Sequence, residues 1–370
     1  MGLKQKLQLI KSRLLEIPFN ILLVTICTCC YGFIILYSSN NANFYPLLFK
    51  QIISFLIFLP ITIIIALIDI KTIYKYIYFV FIFAIILLLA VNLIGYVAMG
   101  AKRWITFFFI RIQPSELMKS GLILAIARFC HDYRRYNQTI LLPILLIIVM
   151  LPSALVIKQP DLGTGIILIL VGTGMIFVAG INIKYFIIGL IITLFSCPII
   201  WNNLHDYQKN RVLTFLMPER DSLGTGYNII QAKIAIGSGG FLGKGFLQGT
   251  QSKLHFLPAH KTDFIFATLT EELGFAGGIL LISLYISLII LYYIVIISCK
   301  SIFTKLITLG AVLTLFCHSV INIGMALGLM PVVGIPLPFI SYGGSMLSTM
   351  LINTGLVLNC YVNRHWRYCR

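Results

Sequence analysis

The sequence predicts an all-α polytopic membrane protein of about ten transmembrane helices, with both termini inside and one large extracytoplasmic loop between spans seven and eight. Three observations carry that prediction. First, of 370 residues 59% are hydrophobic and only 11% are charged, against the ~25% charged residues of an ordinary soluble domain. Second, apolar runs recur at the ~20-residue length that crosses a hydrocarbon core. Third, one long stretch, residues 202–262, is polar, basic and glycine-rich, and apolar sequence resumes directly after Asp263. A single membrane domain over 1–370 contains that loop.

The expected spans are 19–38, 48–69, 74–97, 114–130, 140–158, 162–181, 184–201, 264–298, 305–329 and 341–361. The basic, loosely amphipathic start MGLKQKLQLIKSRLLEIPFN lacks a small-residue cleavage site, so it reads as an uncleaved start helix and first span. Lys and Arg fix the orientation. Lys4, Lys6, Lys11, Arg13, Lys71, Lys75, Arg128, Arg134, Arg135, Lys184, Lys300, Lys305, Arg364, Arg367 and Arg370 all fall on one side, and the short loops 39–47 and 330–340 carry none. That is the positive-inside pattern. It also accounts for much of the net charge of +17, which in a soluble chain would suggest nucleic acid; no nucleic-acid partner is expected here. Lys102, Arg103 and Arg111 break the trend on the outer side. Most of the eleven acids collect there too, so a working site is expected to open outward.

The nine cysteines show no disulfide framework or zinc-finger spacing and read as small apolar core residues. GSGGFLGKG, residues 237–245, approaches a phosphate-binding loop. Ser238 and Gly245 stand where that motif needs Gly and Ser or Thr, so turns between short interfacial helices are the expected reading.

Four further stretches carry candidate chemistry. RIQPSELMK (111–119) opens the fourth span. Pro114 suits a first helical position, and Glu116 and Lys119 share one face at i,i+3. They form either a structural ion pair or an anion site in which Arg111 and Lys119 hold the anion and Glu116 orients Lys119. KQPDLGTG (158–165) opens the sixth span, and Asp161 is either a helix-start carboxylate or a second acid of the same site. HKTDFIFATLTEELG (260–274) opens the eighth. Thr262 or Asp263 could cap that helix, but an acid at the water–hydrocarbon edge is partly desolvated, which suits a general base. GLMPVVGIPLPFISYGGS (328–345) breaks the helix at membrane depth, where irregular backbone survives only inside protein or along a cavity. It is either a tight connector or, as favoured here, a cavity wall. The six histidines show no ligand spacing and receive no role.

Together RIQPSELMK, QPDLGTG, NRVLTFLMPERD, GTGYNIIQAKIAIGSGG, GTQSKLHFLP, TDFIFATLTEELG and GIPLPFISYGGS resemble the SEDS family of bacterial cell-wall synthesis proteins, in order, from about residue 100 onward. The short length, PERD and GTQSKLHFLP resemble its elongation branch more than its division branch. The resemblance implies a peptidoglycan glycosyltransferase that polymerises lipid II at the outer leaflet of the inner membrane. It also implies a class B penicillin-binding transpeptidase (penicillin-binding protein 2-like) and an elongation complex as partners, and Mg²⁺ or Mn²⁺ as cofactor. Carried over by motif, the essential acid falls on Asp263, which is also the possible metal ligand, and the supporting residues on Arg111, Glu116, Lys119 and Asp161. The chain departs from the family pattern after FLP, where Ala259 stands in place of the usual Glu and the basic residues are reordered. An outward transferase needs a donor already activated on a lipid diphosphate, and cations to meet it; Lys102, Arg103, Arg111 and Lys119 are the candidates. The rivals are a lipid II flippase and a non-catalytic scaffold for the transpeptidase. Against the first stand the lack of a clear inverted repeat and the clustering of charge at one face instead of the midplane.

Overall fold

The computed structural model describes residues 11–98, 101–107, 110–133, 138–203, 206–221, 224–254 and 256–366. Helices α1 (Phe19–Ser39), α2 (Leu47–Leu67) and α3 (Ile70–Ile94) lead into strands β1 (Tyr96–Ala98), β2 (Ala101–Phe107) and β3 (Ile110–Ile112). Next come α4 (Pro114–Asp132), α5 (Gln138–Lys158), α6 (Leu162–Val178) and α7 (Ile183–Asn203). The long loop carries α8 (Asp206–Leu216), a 3-10 turn at Pro218–Asp221, α9 (Thr225–Ser238) and the short α10 (Thr250–Lys253). The chain closes with α11 (Ile265–Ser298), α12 (Ile302–Ala326) and α13 (Gly344–Val362).

A long helix occupies each of the ten expected segments. Seven of them, α1, α2, α3, α5, α11, α12 and α13, are long and apolar enough to cross a membrane, which makes this a multi-pass membrane protein. The described apolar stretches of α6 and α7, Leu162–Val178 and Ile183–Ile199, are shorter. Helix α4 is the most polar of the long helices because protein, not lipid, surrounds it: from Met118 to Ala127 every residue is buried. It packs on α3, α6 and α12, while α13 lies along α2 and α11 lies against α12 and α1. Polar side chains tie these contacts. The Asn359 amide of α13 donates to the carbonyls of Ile65 and Ile68 (2.8 and 2.6 Å) at the end of α2, where the helix's own donors run out.

Three features depart from the sequence reading. The stretch 96–112, expected as a plain connection, forms a three-stranded antiparallel sheet in the order β1-β2-β3. Tyr96 pairs with Trp104 and Ile105 with Ile112; aromatic and β-branched residues dominate the run, as strands favour. The cysteines are not uniformly core: Cys29, Cys299 and Cys360 are buried, but Cys27, Cys30 and Cys197 are exposed on apolar helices. Finally, α11 is broken at Gly274, which takes φ 67° and ψ −165°.

Candidate active site

Asp263 sits where the loop meets the bundle. The next residues, Phe264 and Ile265, are buried, so the carboxylate stands at the edge of the apolar core. Its backbone is fixed from two sides. Asn322 of α12 donates one amide to both Asp263 O (2.9 Å) and Ile335 O (2.7 Å). Ser341 Oγ donates to Thr262 O (2.6 Å) while accepting from Leu337 N (2.8 Å), and Tyr342 N donates to Lys261 O (3.0 Å). The connector 327–343 is buried from Leu337 to Ser341, as irregular backbone at membrane depth requires, and it forms a wall of the site: Cβ added to Gly334 would stand 3.7 Å from Asp263 Oδ2. Neither Thr262 nor Asp263 caps α11, whose N-cap is Phe264 with no side-chain bond.

Burial raises the Asp263 carboxyl above its ordinary value; the Arg211 guanidinium, the Thr262 hydroxyl and the Arg103 guanidinium, in that order, pull it back only in part. Desolvation thus outweighs two neighbouring cations. Arg211 lies on α8 and Arg103 on β2, so a loop helix and the small sheet converge on one acid.

Arg103 is held in place. Its guanidinium donates to Gln159 O (3.2 Å) and to Pro160 O, and Gln159 Nε2 donates to Leu88 O (2.6 Å). One residue on, Asp161 is buried as the N-cap of α6, accepting from Thr164 N (3.3 Å), Gln113 Nε2 (2.9 Å) and Ser115 Oγ (3.4 Å). It thereby pins the start of α4 to the start of α6. Lys102 is exposed on β2. Arg111 lies in β3 opposite Thr106, and its side chain is outside the described residues.

Glu116 and Lys119 lie deeper. Lys119 Nζ is 2.8 Å from Glu116 Oε1 and 2.9 Å from His318 Nε2, with Met346 Sδ at 3.7 Å. The lysine is 2% exposed and the glutamate 4%. His318 Nδ1 faces Thr314 O at 2.8 Å and must donate there, so Nε2 accepts from the ammonium. The structural ion pair left open by the sequence is therefore the geometry observed, and Lys119 is turned into the bundle toward α12 and α13.

The glycine-rich run 237–249 cradles no phosphate. Its amides are taken by the broken helix: Lys244 N and Gly245 N donate to Glu271 O and Glu272 O (both 3.0 Å), while Phe275 N and Ala276 N donate to Gly240 O and Phe241 O (2.9 and 3.1 Å). Gly243 has φ 83°, and a Cβ there would lie 2.1 Å from Glu272 O. Glu271 locks the arrangement, accepting from Lys244 Nζ (2.7 Å), Thr250 N (2.8 Å), Thr250 Oγ1 (3.0 Å) and Gln251 N (3.0 Å). Glu272 accepts from Ser38 Oγ at the end of α1 (2.5 Å), and His260 Nε2 lies 3.1 Å from Ser39 O. The loop is fastened to α11 around Gly274 and to the end of α1.

Sequence reasoning missed Arg211, Asn322 and His318. Arg211 lies in a quoted run, NRVLTFLMPERD, but had no role. His318 and Asn322 are i,i+4 in an apolar helix, a spacing that puts two polar side chains on one buried face and could have flagged both. Among the described residues no three His, Cys, Asp or Glu side chains gather as a metal site. The donors fit an ion only in the manner of Mg²⁺, which takes one or two carboxylates together with substrate phosphates.

The sequence model of the FtsW, RodA and SpoVE cell cycle proteins matches residues 19–366. The chain belongs to this family. The Escherichia coli (strain K12) peptidoglycan glycosyltransferase MrdB is 43% identical over 293 residues, covering 77% of this chain and 78% of that protein. Among solved structures, a chain from a peptidoglycan synthase complex that coordinates polymerization and crosslinking superposes with TM-score 0.80 at 28% identity. It covers 95% of this chain and 99% of that one. A mutant of the Thermus thermophilus rod shape determining protein RodA superposes with TM-score 0.73 at 25% identity, covering 95% and 99%. The FtsW/RodA/SpoVE fold thus extends over nearly the whole chain, the loop included.

Proposed function

We propose that this chain is a peptidoglycan glycosyltransferase of cell elongation, polymerising lipid II into glycan strands at the outer face of the bacterial inner membrane with Asp263 as general base. The observation that carries the reading is one partly buried acid at the edge of the apolar core, held by Asn322 and walled by the connector at Gly334, on which the charges of Arg211 and Arg103 act.

In the proposed reaction Asp263 accepts the proton of the acceptor sugar hydroxyl of an incoming lipid II. The freed oxygen electron pair bonds to the anomeric carbon of the growing strand as the bond from that carbon to the diphosphate oxygen breaks. Undecaprenyl diphosphate leaves with the electron pair, and Asp263 later returns its proton to water. A carboxyl raised above its ordinary value is a better base than an unshifted one. Arg211 and Arg103, whose charges act on Asp263, are assigned to the diphosphate, together with Lys102 and Arg111 of the sheet. Asp161 and the Glu116–Lys119 pair are assigned the positioning of α4 and α6, not contact with substrate. A Mg²⁺ or Mn²⁺ ion, when bound by Asp263 and the diphosphate, would supply further neutralisation of the departing charge.

A class B transpeptidase, penicillin-binding protein 2-like, is the proposed partner, supported by the synthase complex that this fold matches. The test is lipid II polymerisation in detergent by the chain co-purified with its transpeptidase, with moenomycin present to silence other polymerases. Glycan ladders from the wild type and none from Asp263→Ala are expected. Equal ladders from both would remove Asp263 from the chemistry, and ladders from neither would return the chain to a flippase or scaffold.

A further inference from the structure

His260 has no part in the chemistry assigned above. Its ring is 7% exposed, and both of its nitrogens face backbone carbonyl oxygens. Nδ1 lies 2.7 Å from Leu257 O in its own segment, and Nε2 lies 3.1 Å from Ser39 O, the last residue of α1. A carbonyl oxygen only accepts. Neutral imidazole carries one N–H, so either tautomer would set a lone pair against a carbonyl; only the imidazolium donates to both. His318 shows the contrast. There one nitrogen faces Thr314 O and the other the Lys119 ammonium, so the neutral ring satisfies both.

The position favours positive charge for a second reason. Ser39 closes a helix of 21 residues, and the last carbonyls of a helix form its negative end. The turn that follows takes up Leu36 O, Tyr37 O and Ser38 O through Asn40 N, Ala42 N and Asn41 N, whereas Ser39 O meets the His260 ring. Beside it, Lys261 Nζ donates to Asn40 Oδ1 at 3.0 Å. The titratable groups of the elements that meet the ring are few. Helix α11 supplies Glu271 and Glu272, the loop supplies Lys244, and the segment 256–264 supplies Lys261 and Asp263; the end of α1 and the connector supply the phenols of Tyr37 and Tyr342. Lys244 is taken by Glu271 at 2.7 Å. Glu272, bonded to Ser38 Oγ one residue from Ser39, has no Lys or Arg within ion-pair distance among the described residues.

We propose that His260 is held as an imidazolium and clamps the segment that carries Asp263 to the C-terminal end of α1. The ring lies three positions before the acid, and the chain between them is drawn into a tight turn by Thr262 N and Phe264 N, which donate to Ala259 O (3.1 and 3.2 Å). His260 is thus a positioning residue: it touches no reacting atom and sets where residue 263 stands. Its effect on rate rests on Asp263 as the base; its charge and the clamp do not. Charged, the ring makes both bonds, and on losing its proton it keeps one. The clamp is therefore complete at low pH and loosens as pH rises through the point where the folded ring deprotonates.

The experiment uses the full chain with ¹⁵N-labelled histidine in lipid nanodiscs. Six histidines give few enough ring signals for His260→Phe to identify those of residue 260. At pH 7.5, where an ordinary imidazole of pKa ~6.5 is mostly neutral, residue 260 is expected to show two protonated ring nitrogens. Amide protection over 256–264 is then followed against pH in the Asp263→Asn background, so that the titration of Asp263 plays no part. It is expected to hold through the carboxylate range and to fall about tenfold once the ring deprotonates, equivalent to about 1.4 kcal/mol and within the range for a histidinium at a helix end. His260→Arg, with donors only and a permanent charge, is expected to keep protection at every pH, and His260→Phe to lose it at every pH. In polymerisation by chains that keep Asp263, His260→Phe is expected to lower kcat about tenfold at unchanged KM, and His260→Arg to restore it. A residue 260 ring nitrogen without a proton at pH 7.5 overturns the proposal, as does protection in His260→Arg that falls with pH like that of the unsubstituted ring. Should His260→Arg fail to fold, the ring signals of the wild type decide. Polymerisation by Asp263→Ala would remove the base assignment alone, since the ring signals and amide protection need no turnover.

Discussion

Asp263→Asn separates catalysis from stability, because the same burial affects the two in opposite directions. The carboxyl is raised by desolvation that Arg211 and Arg103 do not fully offset. An acid raised in the fold prefers to be neutral there. Its contribution to stability is therefore fully present below the unfolded-state pKa and is lost as pH rises through the folded one. At neutral pH the wild type holds a carboxylate where a neutral amide of the same shape would sit more comfortably; every tenfold weakening of the acid by the fold corresponds to about 1.4 kcal/mol. Asn keeps the backbone bond from Asn322 Nδ2 to residue 263 O, since that bond does not involve the side chain. The expected outcome is a higher melting temperature than wild type at pH 7. The wild-type value should fall as pH rises from the ordinary carboxylate range through the raised one, and the variant's should not. Polymerisation by the variant should drop roughly 10²–10⁴-fold, the usual contribution of a positioned general base. Wild-type kcat/KM should climb with pH over the same window. Melting scans against pH, paired with lipid II polymerisation, read both quantities. A variant less stable than wild type at pH 7, or one that retains full activity, would refute the argument.

Three further outcomes follow from the packing. Lys119→Met should destabilise the fold by ~3–5 kcal/mol, because it leaves Glu116 charged and buried without its partner; adding Glu116→Gln should recover most of that in chemical or thermal unfolding. A lysine whose main role was substrate contact would instead lose activity at unchanged stability. Glu271→Ala removes the acceptor of four hydrogen bonds from Lys244, Thr250 and Gln251 and should free the loop, seen as rapid hydrogen exchange and proteolysis confined to 240–255. Asn322→Ala releases the peptide of Asp263 from Ile335 and should lower kcat on the order of 10²-fold through misplacement alone, with substrate affinity little changed.

The long helices were legible because lipid exposure writes them in length and apolarity. Even α4, the most polar, announced itself through Pro114 and the i,i+3 pair of Glu116 and Lys119. The location of Asp263 was legible too, since a lone acid ahead of Phe264 and Ile265 is conspicuous in such a sequence. What could not be read was the company it keeps. Arg211 lies 52 residues upstream on a loop helix whose docking depends on tertiary contacts. Asn322 and His318 are hidden in an apolar run that periodicity reads only as a span. The small sheet was missed because three- to seven-residue strands carry little pattern. The destination of Lys119 was undecidable for another reason: a lysine at a helix start can reach water or the bundle, and only the position of His318 on α12 settles which.

The break at Gly274 has a mechanical side. Glu271 and Glu272 offer carbonyls to Lys244 and Gly245, and Gly240 and Phe241 return theirs to Phe275 and Ala276, so the loop and α11 are riveted on both sides of the discontinuity. Below it, α11 presents a row of bare apolar side chains including Phe275, Ile279, Ile282, Ile286 and Ile290. The same four backbone hydrogen bonds that bridge the discontinuity therefore make the loop segment 240–245 part of the helix's own wall, so α11 and the loop share one backbone hydrogen-bond network where the helix itself is interrupted.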